Sequence, residues 1–377
     1  MPLDNNAASA YTLCRHVSAY TIFPPTPAAL GITIYDIAEK AGVSIATVSR
    51  VFNDSPRVSD KTRDRVMNVA AELGYQPHAS ARSLARRRTE IVSAVIPMIT
   101  NYFFTEVLRG VQDRMAETDF DLLVFSARTL DEVEIQLDRA LHRGRSAGVL
   151  LFSTPLMNGM VERLTESGQP VVLVDSFHPA FDSISTDNRR GGEMAGEHLI
   201  EIGCTSPAMI MASPDSRPAA DRKEGFLSIL REAGIPADDN YVVSSSEGLN
   251  HGYSEKSGYE AAKKLLATGL RPDGIFVTSD IQALGVMEAL REMDYEIPAD
   301  VRIVGFDDIV VSKYIGLTTL RQPMYEMGST AVRKLMDRLT TPDRPVSHTV
   351  FSPHLVTRLT SGGAVANGSA ITVRTPG

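Results

Sequence analysis

Beginning at Ile91, short continuous apolar runs alternate with longer amphipathic stretches, and this alternation limits what the chain can fold into. Continuous apolar strands that alternate with helices predict parallel sheets covered by helices on both faces. Roughly 270 residues of this pattern exceed one sheet of comfortable size, so we expect an α/β domain of two lobes. The apolar runs include IVSAVIPM, LLVF, GVLLF, PVVLVD, PAMIMA, GIFVTS and RIVGFD, and the helical segments include FTEVLRGVQDRMAE, GGEMAGEHLIEIG, RKEGFLSILREAG and IQALGVMEALREM.

The stretch before Ile91 has a different, purely helical pattern. Ile34, Ile37, Ala38 and Ala41 recur at the spacing of one helical face. The next residue is a glycine, which tolerates the left-handed backbone conformation that ends many helices. We therefore expect a short first helix that ends at Ala41.

Two more helices complete this small unit. Ser44 is placed to cap a second helix, from which Val48 and Val51 face inward. Ser59 is placed to cap a third helix that runs to Leu73, just before a glycine. Two short helices joined at Ala-Gly-Val predict a helix-turn-helix, and the third helix completes an all-α, three-helix head.

Charge is distributed unevenly between these two parts. The formal net charge of the whole chain is −8, which by itself argues against a nucleic-acid partner. Residues 31–90, however, carry ten Lys and Arg against seven Asp and Glu, whereas residues 91–377 carry 27 against 38. A basic head on an acidic body directs DNA to one end of the molecule. The arginines at the end of the head fit either DNA binding or a solvated linker; they are Arg82, Arg86, Arg87 and Arg88.

The second predicted helix carries the candidate base contacts. In SIATVSR, the outward positions are Ile45, Ala46, Ser49 and Arg50. Arg50 can pair bidentately with guanine, and Ile45 or Ala46 can pack on a thymine methyl group. The alternative is a plain three-helix bundle with exposed polar groups. Candidate phosphate contacts, all at helix starts or turns, are Thr33, Tyr35, Ser44, Thr47, Asn53 and Ser59.

These segments resemble the LacI/GalR family of transcriptional repressors. The likeness begins with TIYDIAEKAGVSIATVSRVFND and continues through VSDKTRDRV, ELGYQPH and ARSLA. It extends over about residues 33–360, through IPMITNYFF, VVLVDS, DNRRGGEMAGEHLIEIG, DRKEGF, TSDIQALGVMEAL, VRIVGFDD and LTTLRQP. The resemblance implies a homodimeric repressor that binds double-stranded operator DNA and is controlled by a small-molecule effector. It also implies a sensor domain like the periplasmic binding proteins.

By the same resemblance, HASARSLA matches the hinge helix of the family. Leu84 then matches the leucine that enters the minor groove and kinks the operator, and His78 joins the DNA-contact set. Inserting an apolar side chain between two base steps costs a few kcal/mol of unstacking, and extra contacts on the bent DNA offset this cost. The alternative is a helical linker with Leu84 packed on the body.

The pattern and the resemblance together give the predicted domain boundaries. We expect a disordered tail over 1–32, the head over 33–77, a hinge helix and linker over 78–90, a ligand-binding and dimerisation domain over 91–361, and a disordered tail over 362–377. Within the ligand-binding domain, lobe 1 is expected at about 91–188 and 321–345, and lobe 2 at about 189–320 and 346–361.

In the fold that the body resembles, ligand lies between the lobes at the carboxyl ends of strands. Asp175, Asp280 and Asp307 each directly follow an apolar strand, and Arg222 begins the helix that carries GF. The resemblance makes Arg222 and Asp307 the principal ligand contacts, with Asp280 and Asp175 as further contacts. Arg and Asp both bond pairs of hydroxyls, which suits a sugar. Alternatively, Asp280 caps the following helix and Arg222 forms a structural ion pair.

Aromatic contacts complete the predicted ligand set. Tyr253 is placed to stack on the ligand, and Phe103 and Phe104 match the aromatic edge of the first strand–helix loop. The two phenylalanines equally suit a lobe core. The chain has no Trp, so sugar stacking must rest on Phe or Tyr. The segment SPDSRPAAD matches a ligand-contact region of the family, but none of its positions can be assigned.

Other function classes find little support. The sequence has no GxSxG, HExxH, GxxxxGK[ST] or GxGxxG after a strand, so we expect no enzyme activity, no metal and no cofactor. Cys14 and Cys204 form neither a disulfide framework nor a CxxC pair, and no apolar run reaches the ~18 residues of a membrane helix. We expect a cytoplasmic protein. The alternative, a transport-type binding protein, needs a signal peptide and no DNA-binding head.

Overall fold

The structure is a computed structural model that describes residues 32–52, 55–75, 89–142, 145–156, 158–244 and 252–363. These residues form two compact units, a head within 32–75 and a body within 89–363. Asn53, His78 and Leu84 lie outside the described residues, as do almost all of the predicted tails and hinge.

The head consists of three helices within the described residues: α1 Ile34–Ala41, α2 Ile45–Phe52 and α3 Asp60–Glu72. Gly42 ends α1 with φ 61°, in the left-handed region where glycine is not strained. Ser44 caps α2 by accepting a hydrogen bond from the Thr47 amide at 3.2 Å, and Ser59 is the N-cap residue of α3. The first helix thus ends at Ala41 and the second begins after Ser44 as predicted, whereas the third ends at Glu72, one residue before the predicted end.

One small apolar core holds the three helices of the head together. Arg63 on α3 supports it from the side, because its guanidinium donates to the Val51 carbonyl at 3.5 Å and to the Ser55 carbonyl at 3.0 Å. The Val51 carbonyl belongs to the last turn of α2, where carbonyls have no partner within the helix. The buried core residues are Ile37, Ala38, Ala41, Val48, Val51, Val66 and Ala70.

Within its described residues, the body contains two six-stranded sheets. The first comprises β1 Ile91–Pro97, β2 Asp121–Ala127, β3 Gly148–Phe152, β4 Val171–Val174, β5 Asp182–Thr186 and β11 His348–Phe351. The second comprises β6 Pro207–Met211, β7 Val242–Ser244, β8 Gly274–Val277, β9 Arg302–Asp307, β10 Thr318–Arg321 and β12 His354–Val356. Their orders are β11-β5-β4-β3-β1-β2 and β12-β10-β9-β8-β6-β7. Every pairing is parallel except that of β12 with β10, which confirms the predicted fold class.

Helices cover both faces of each sheet. Those on the first sheet are α4 Tyr102–Met115, α5 Leu130–Leu141, α6 Asn158–Glu166 and α12 Met324–Thr340. Those on the second are α7 Asn188–Glu201, α8 Arg217–Glu232, α9 Glu255–Ala267, α10 Asp280–Glu292 and the short α11 Val310–Tyr314. Two 3-10 turns lie at Asp239–Tyr241 and Leu359–Ser361. Within the described ranges, no helix combines the length and apolar character that a membrane span needs.

The chain passes between the sheets at 186–188, 321–324 and 351–354. The prediction that all of 346–361 lies in lobe 2 is therefore wrong, since residues 348–351 form an edge strand of the first sheet, parallel to β5. The physical reason is that β11 is short and half-exposed, and its HTVF sequence gives no sign of which sheet it joins.

Helices α7 and α8 pack backbone against backbone. A Cβ at Gly192 on α7 would overlap the carbonyl oxygen of Arg222 on α8, and one at Gly225 would overlap the carbonyl oxygen of Arg189. Only glycine permits this separation, because any side chain would force the helices apart. The close packing fixes the segment of α8 that carries Arg222.

Candidate ligand cavity and nucleic-acid interface

A cavity of about 590 Å³ lies at the carboxyl ends of strands from both sheets. Pro97, Ser153 and Asp175 stand at or just after the ends of β1, β3 and β4, and Asp307 ends β9. This is where open parallel sheets bind ligands, because strand ends and helix starts leave polar backbone groups there. The structure brings together at this cavity six of the seven predicted ligand residues, namely Phe103, Phe104, Asp175, Arg222, Tyr253 and Asp307.

Arg222 is buried in the cavity wall and is held by uncharged partners. Its Nε donates to the Asn188 side chain at 2.9 Å, and its Nη1 donates to the Thr278 carbonyl at 2.5 Å. The guanidinium also lies 3.6 Å from the centre of the Phe306 ring. Among the described residues, no carboxylate is close enough to form an ion pair with it. The structure thus disfavours the structural ion pair considered for Arg222.

Asp307 is the acidic counterpart of Arg222 at the cavity. One of its carboxylate oxygens accepts a hydrogen bond from the Gln322 amide nitrogen at 2.6 Å. Burial raises the pKa of Asp307 to about 7, although the nearby charge of Arg222 opposes this rise. The Gln322 Oε1 is buried without a donor from the described residues, so a hydroxyl beside it would satisfy it.

The backbone around the cavity is strained at the strand ends. Ser153, Asp175 and Asp307 have φ values of 40°, 55° and 123°, a region that residues with a Cβ rarely adopt. Ser153 and Asp175 are also joined side chain to side chain, at 2.7 Å. Such strain costs about 1–3 kcal/mol per residue and clusters at functional sites. It therefore supports a binding role for this edge of the sheets.

Three aromatic side chains form part of the cavity wall. The rings of Phe103 and Phe104 meet edge to face at 5.2 Å, and both residues also belong to the core of the first lobe. Phe103 and Phe104 therefore line the cavity and also belong to the lobe core, so the two predicted alternatives are compatible. The hydroxyl of Tyr253 lies 2.9 Å from that of Ser216, which fixes the tyrosine ring beside the cavity.

The prediction that Asp280 contacts the ligand needs correction. Its neighbours in sequence line the cavity, but Asp280 itself is completely buried and points into the second lobe. Its carboxylate accepts hydrogen bonds from the Ile309 amide at 3.0 Å and from Ser312 and Thr319 at 2.6 Å each. The alternative of a helix cap also fails, because Ser279 caps α10. Successive side chains point in different directions here, and the sequence does not show which one faces the ligand.

From the buried acids we expect an unusual pH dependence of stability. Burial, and then the charge of Asp307, raise the pKa of Asp280 to about 8, well above that of an unfolded aspartate. The folded state then binds more protons than the unfolded state near neutral pH, so stability falls as pH rises. Between pH 7 and 8.5 we expect the free energy of unfolding to drop by on the order of 1–2 kcal/mol, since each extra bound proton is worth about 1.4 kcal/mol per pH unit.

Denaturant unfolding of the full chain at these two pH values measures the drop. In Asp280→Asn, which cannot titrate at this position, we expect a distinctly flatter dependence. Unchanged or increasing stability of the wild type from pH 7 to 8.5 would contradict the assignment of a protonated buried acid.

Sequence reasoning missed several cavity residues. Asn188 and Gln322 lie in segments that carried the family resemblance, but an isolated amide gave no sign that it would orient Arg222 or Asp307. The segment from which no position could be assigned contributes Asp215, Ser216, Arg217, Pro218 and Asp221 to the wall. Its Ser-Arg-Pro sequence, a cap followed by proline in the first helical turn, was a signal that α8 begins there.

The head exposes most of its predicted DNA-contact residues. Ile45, Ala46 and Arg50 are exposed on α2, whereas Ser49 and Thr47 are half-buried. Large apolar groups exposed on the head include Ile45 and Tyr35, which is 65% exposed. An exposed arginine beside apolar side chains on one short helix suits a major groove.

The remaining predicted DNA contacts lie at helix starts. The Thr33 hydroxyl donates to the Asp36 carboxylate at 2.7 Å, and this bond holds the pKa of that carboxyl below its usual value. The hydroxyls of Ser44 and Thr47 lie 2.9 Å apart, and Ser59 pairs in the same way with Thr62. All of these groups are at least partly accessible to a phosphate.

A helix-turn-helix head with an exposed recognition helix, followed by an α/β body with a ligand cavity, defines the class of ligand-responsive DNA-binding regulators. Residues 33–78 match the family described as bacterial regulatory proteins, lacI family, and residues 197–361 match the periplasmic binding protein-like domain. Catabolite control protein A of Priestia megaterium is 32% identical over 332 residues, which cover 87% of this chain and 98% of that protein. The chain therefore belongs to the LacI family and is a DNA-binding transcriptional regulator, not an enzyme.

Solved structures agree with this assignment. The lac repressor dimer bound to operator and the anti-inducer ONPF superposes with a TM-score of 0.75 and 26% identity, covering 88% of this chain and 99% of that one. The complex of the transcriptional regulator CelR with cellobiose gives a TM-score of 0.66 and 29% identity, covering 87% and 99%.

Proposed function

We propose that this protein is a repressor whose affinity for operator DNA is controlled by a small molecule bound in the cavity of the body. The observation that carries the proposal is the occurrence, in one chain, of an exposed recognition helix and of a cavity where Arg222 and Asp307 are anchored but not paired with each other. The rival, a transport-type binding protein, leaves the head without a role.

The cavity chemistry favours a sugar or sugar derivative as the effector. Arg222, Asp307 and Asp175 supply charged donors and acceptors, which form the strongest hydrogen bonds to hydroxyl groups. Phe103, Phe104 and Tyr253 supply flat apolar surface of the kind that packs on the C–H face of a sugar ring. The similar regulator CelR was solved in complex with cellobiose, and the similar lac repressor was solved with the anti-inducer ONPF.

Control of DNA binding requires that the effector and the operator prefer different arrangements of the protein. A ligand shifts such an equilibrium only by its difference in affinity for the two arrangements. The coupling is reciprocal, so operator DNA changes effector affinity by the same factor. The cavity draws on both sheets, so a bound molecule would sense their relative position.

The functional unit we propose is a homodimer in the cytoplasm. A helix-turn-helix reads a half-site, and two-fold proteins match pseudo-palindromic operators of roughly 14–20 base pairs. The core of the head contains few buried side chains, so the body must supply most of the dimer interface. The similar lac repressor structure is a dimer on its operator.

Replacing Arg50 tests the recognition helix. In Arg50→Ala we expect operator binding to weaken by about 1–3 kcal/mol and preference to relax at one base position, because a bidentate contact to guanine is lost. Fluorescence anisotropy on operator variants measures both effects. Arg65→Ala, which removes an equal charge from an exposed position on α3, should leave the base preference intact. If Arg50→Ala leaves affinity and preference unchanged, the recognition-helix assignment is wrong.

A further inference from the structure

We infer that the effector is electrically neutral, a polyol or sugar without a phosphate or carboxylate group, and that the cavity rejects anionic sugars. The inference rests on the proposed function of this cavity as a sugar sensor and specifies the class of molecule that it detects. Three independent features of the cavity support it: the balance of its charges, the geometry of its arginine, and the helix starts around it.

The charged groups of the cavity wall, four carboxyl groups against two guanidiniums, disfavour an anionic guest. Arg217 and Asp221 neutralise each other through an ion pair of 2.8 Å at an exposed part of the wall. Deeper in the cavity, Asp175 and Asp307 both lie near enough to Arg222 to be affected by its charge. Two carboxyl groups thus face one guanidinium. A further negative charge would meet repulsion in a poorly solvated site, where charge is least tolerated.

The geometry of Arg222 also disfavours an anion. Phosphates and carboxylates are usually held by two parallel N–H groups of one guanidinium. Here Nε is committed to Asn188 and Nη1 to the Thr278 carbonyl, so the edge of the guanidinium that contains Nε cannot act as a free two-pronged donor. Only the edge between Nη1 and Nη2 remains for a guest, so Arg222 offers an anion one two-pronged edge instead of two. Among the described wall residues, no lysine offers an alternative positive charge.

Helix starts, the other usual anion site, each already have one of their unpaired amides bonded by a capping side chain. Anions bind there because the first amides of a helix lack internal partners. Among the described elements, four helices begin at the cavity wall: α4, α7, α8 and α10. In each, a side chain of the chain itself accepts from an early amide; the acceptors are Asn101, Asp187, Ser216 and Ser279. The second residue of α8 is Pro218, which has no amide hydrogen to offer.

The first lobe adds an apolar wall, and a charged group on the ligand would lose its hydrating water when it lies beside this wall. Its members are Pro97, Phe103, Phe104, Pro155, Leu156 and Phe177. Asp175 stands beside this wall, just after the end of β4, and burial there raises its pKa. Asp175 is therefore the residue that we assign to discrimination against anions.

A matched set of probes tests the inference on the full chain. The probes are D-glucose, D-galactose, D-ribose and cellobiose, each compared with its aldonic acid and with a phosphate ester, and the two hexoses also with their 2-amino derivatives. Ligand binding to the folded state raises the melting temperature, and calorimetric titration then gives Kd. We expect at least one neutral sugar to bind, and its acid and phosphate to bind at least tenfold more weakly.

The variant Asp175→Asn should reduce that discrimination at least fivefold, because it removes one carboxylate without changing the side-chain shape. Asp138→Asn removes an equal charge from an exposed position on α5 and should leave discrimination unchanged. Should Asp175→Asn fail to fold, the wild-type comparison alone decides.

The outcomes distinguish failure of the inference that the effector is neutral from failure of the proposed sugar-sensing function. An acid or phosphate that binds as tightly as its neutral parent, or an amino sugar that binds more tightly, overturns the inference and leaves the sugar sensor intact. Binding of no probe in any charge form overturns the proposed sugar-sensing function, and the inference falls with it.

Discussion

The variant Asp307→Asn retains ligand-free operator affinity within about twofold but loses its response to the effector. A hydrogen bond to a charged group contributes about 1.5–3 kcal/mol, and this substitution replaces an acceptor that can carry a negative charge with an amide that cannot. Moving a two-state equilibrium from 1:99 to 99:1 takes about 5.5 kcal/mol of differential affinity, so the loss of one such bond can stop the switch. Asparagine keeps the shape of the side chain and tolerates the positive φ better than alanine.

Arg222→Ala is expected to lose the response as well, but with a cost to stability. It leaves the buried Thr278 carbonyl and the Asn188 amide oxygen without their donor, which costs about 1–3 kcal/mol for each buried group. Operator affinity with and without effector must therefore be measured alongside the melting temperature. Arg163→Ala, at a half-buried position on α6 outside the cavity wall, serves as the control that keeps a normal response. A stable Asp307 or Arg222 variant with wild-type sensitivity would remove that residue from the effector site.

The same substitution at two glycines is expected to have opposite effects on stability. At Gly192→Ala the new methyl group overlaps the Arg222 carbonyl, so α7 and α8 must separate. Overpacking of this kind costs about 1–3 kcal/mol and occasionally more, and we expect the upper end because the obstacle is backbone. The shift of α8 also moves Arg222, so effector affinity should fall with stability.

Gly159→Ala on α6 is the matched control, since its new methyl group meets no atom within 4 Å. Alanine is the better helix former, so this variant should be about 0.5–1 kcal/mol more stable than wild type. Denaturant unfolding of both variants measures the contrast. Equal stability of the two variants would show that the close packing of α7 and α8 is not needed for the fold.

The sequence predicted the parts of the fold whose pattern is local. The strand RIVGFD ends at Asp307 as expected, and the caps at Ser44 and Ser59 stand where the head was divided into helices. Strands such as β5 and β11 were not predicted because they are short, and their sequences, DSIST and HTVF, lack a continuous apolar run. Their position in the sheet depends on pairing between residues that are far apart in the chain.

The cavity was predictable only in part, for a similar reason. Arg222 and Asp307 were identified by resemblance, and both line the cavity. Asp280 looked equivalent to Asp307, because each follows an apolar strand, yet it bonds to Ser312 and Thr319 inside the lobe. The direction of a side chain at a strand end depends on the local backbone angles, which neither spacing nor composition encodes.

Mutual coupling between operator and effector tests the account most directly. Once a binding sugar is known, its Kd for the full chain is measured by calorimetry with and without saturating operator DNA, and operator Kd is measured by anisotropy with and without saturating sugar. If the effector controls operator binding, we expect both dissociation constants to change by at least about fivefold and by the same factor, because coupling free energies are reciprocal. A sugar that binds in the cavity while both constants stay unchanged would contradict it.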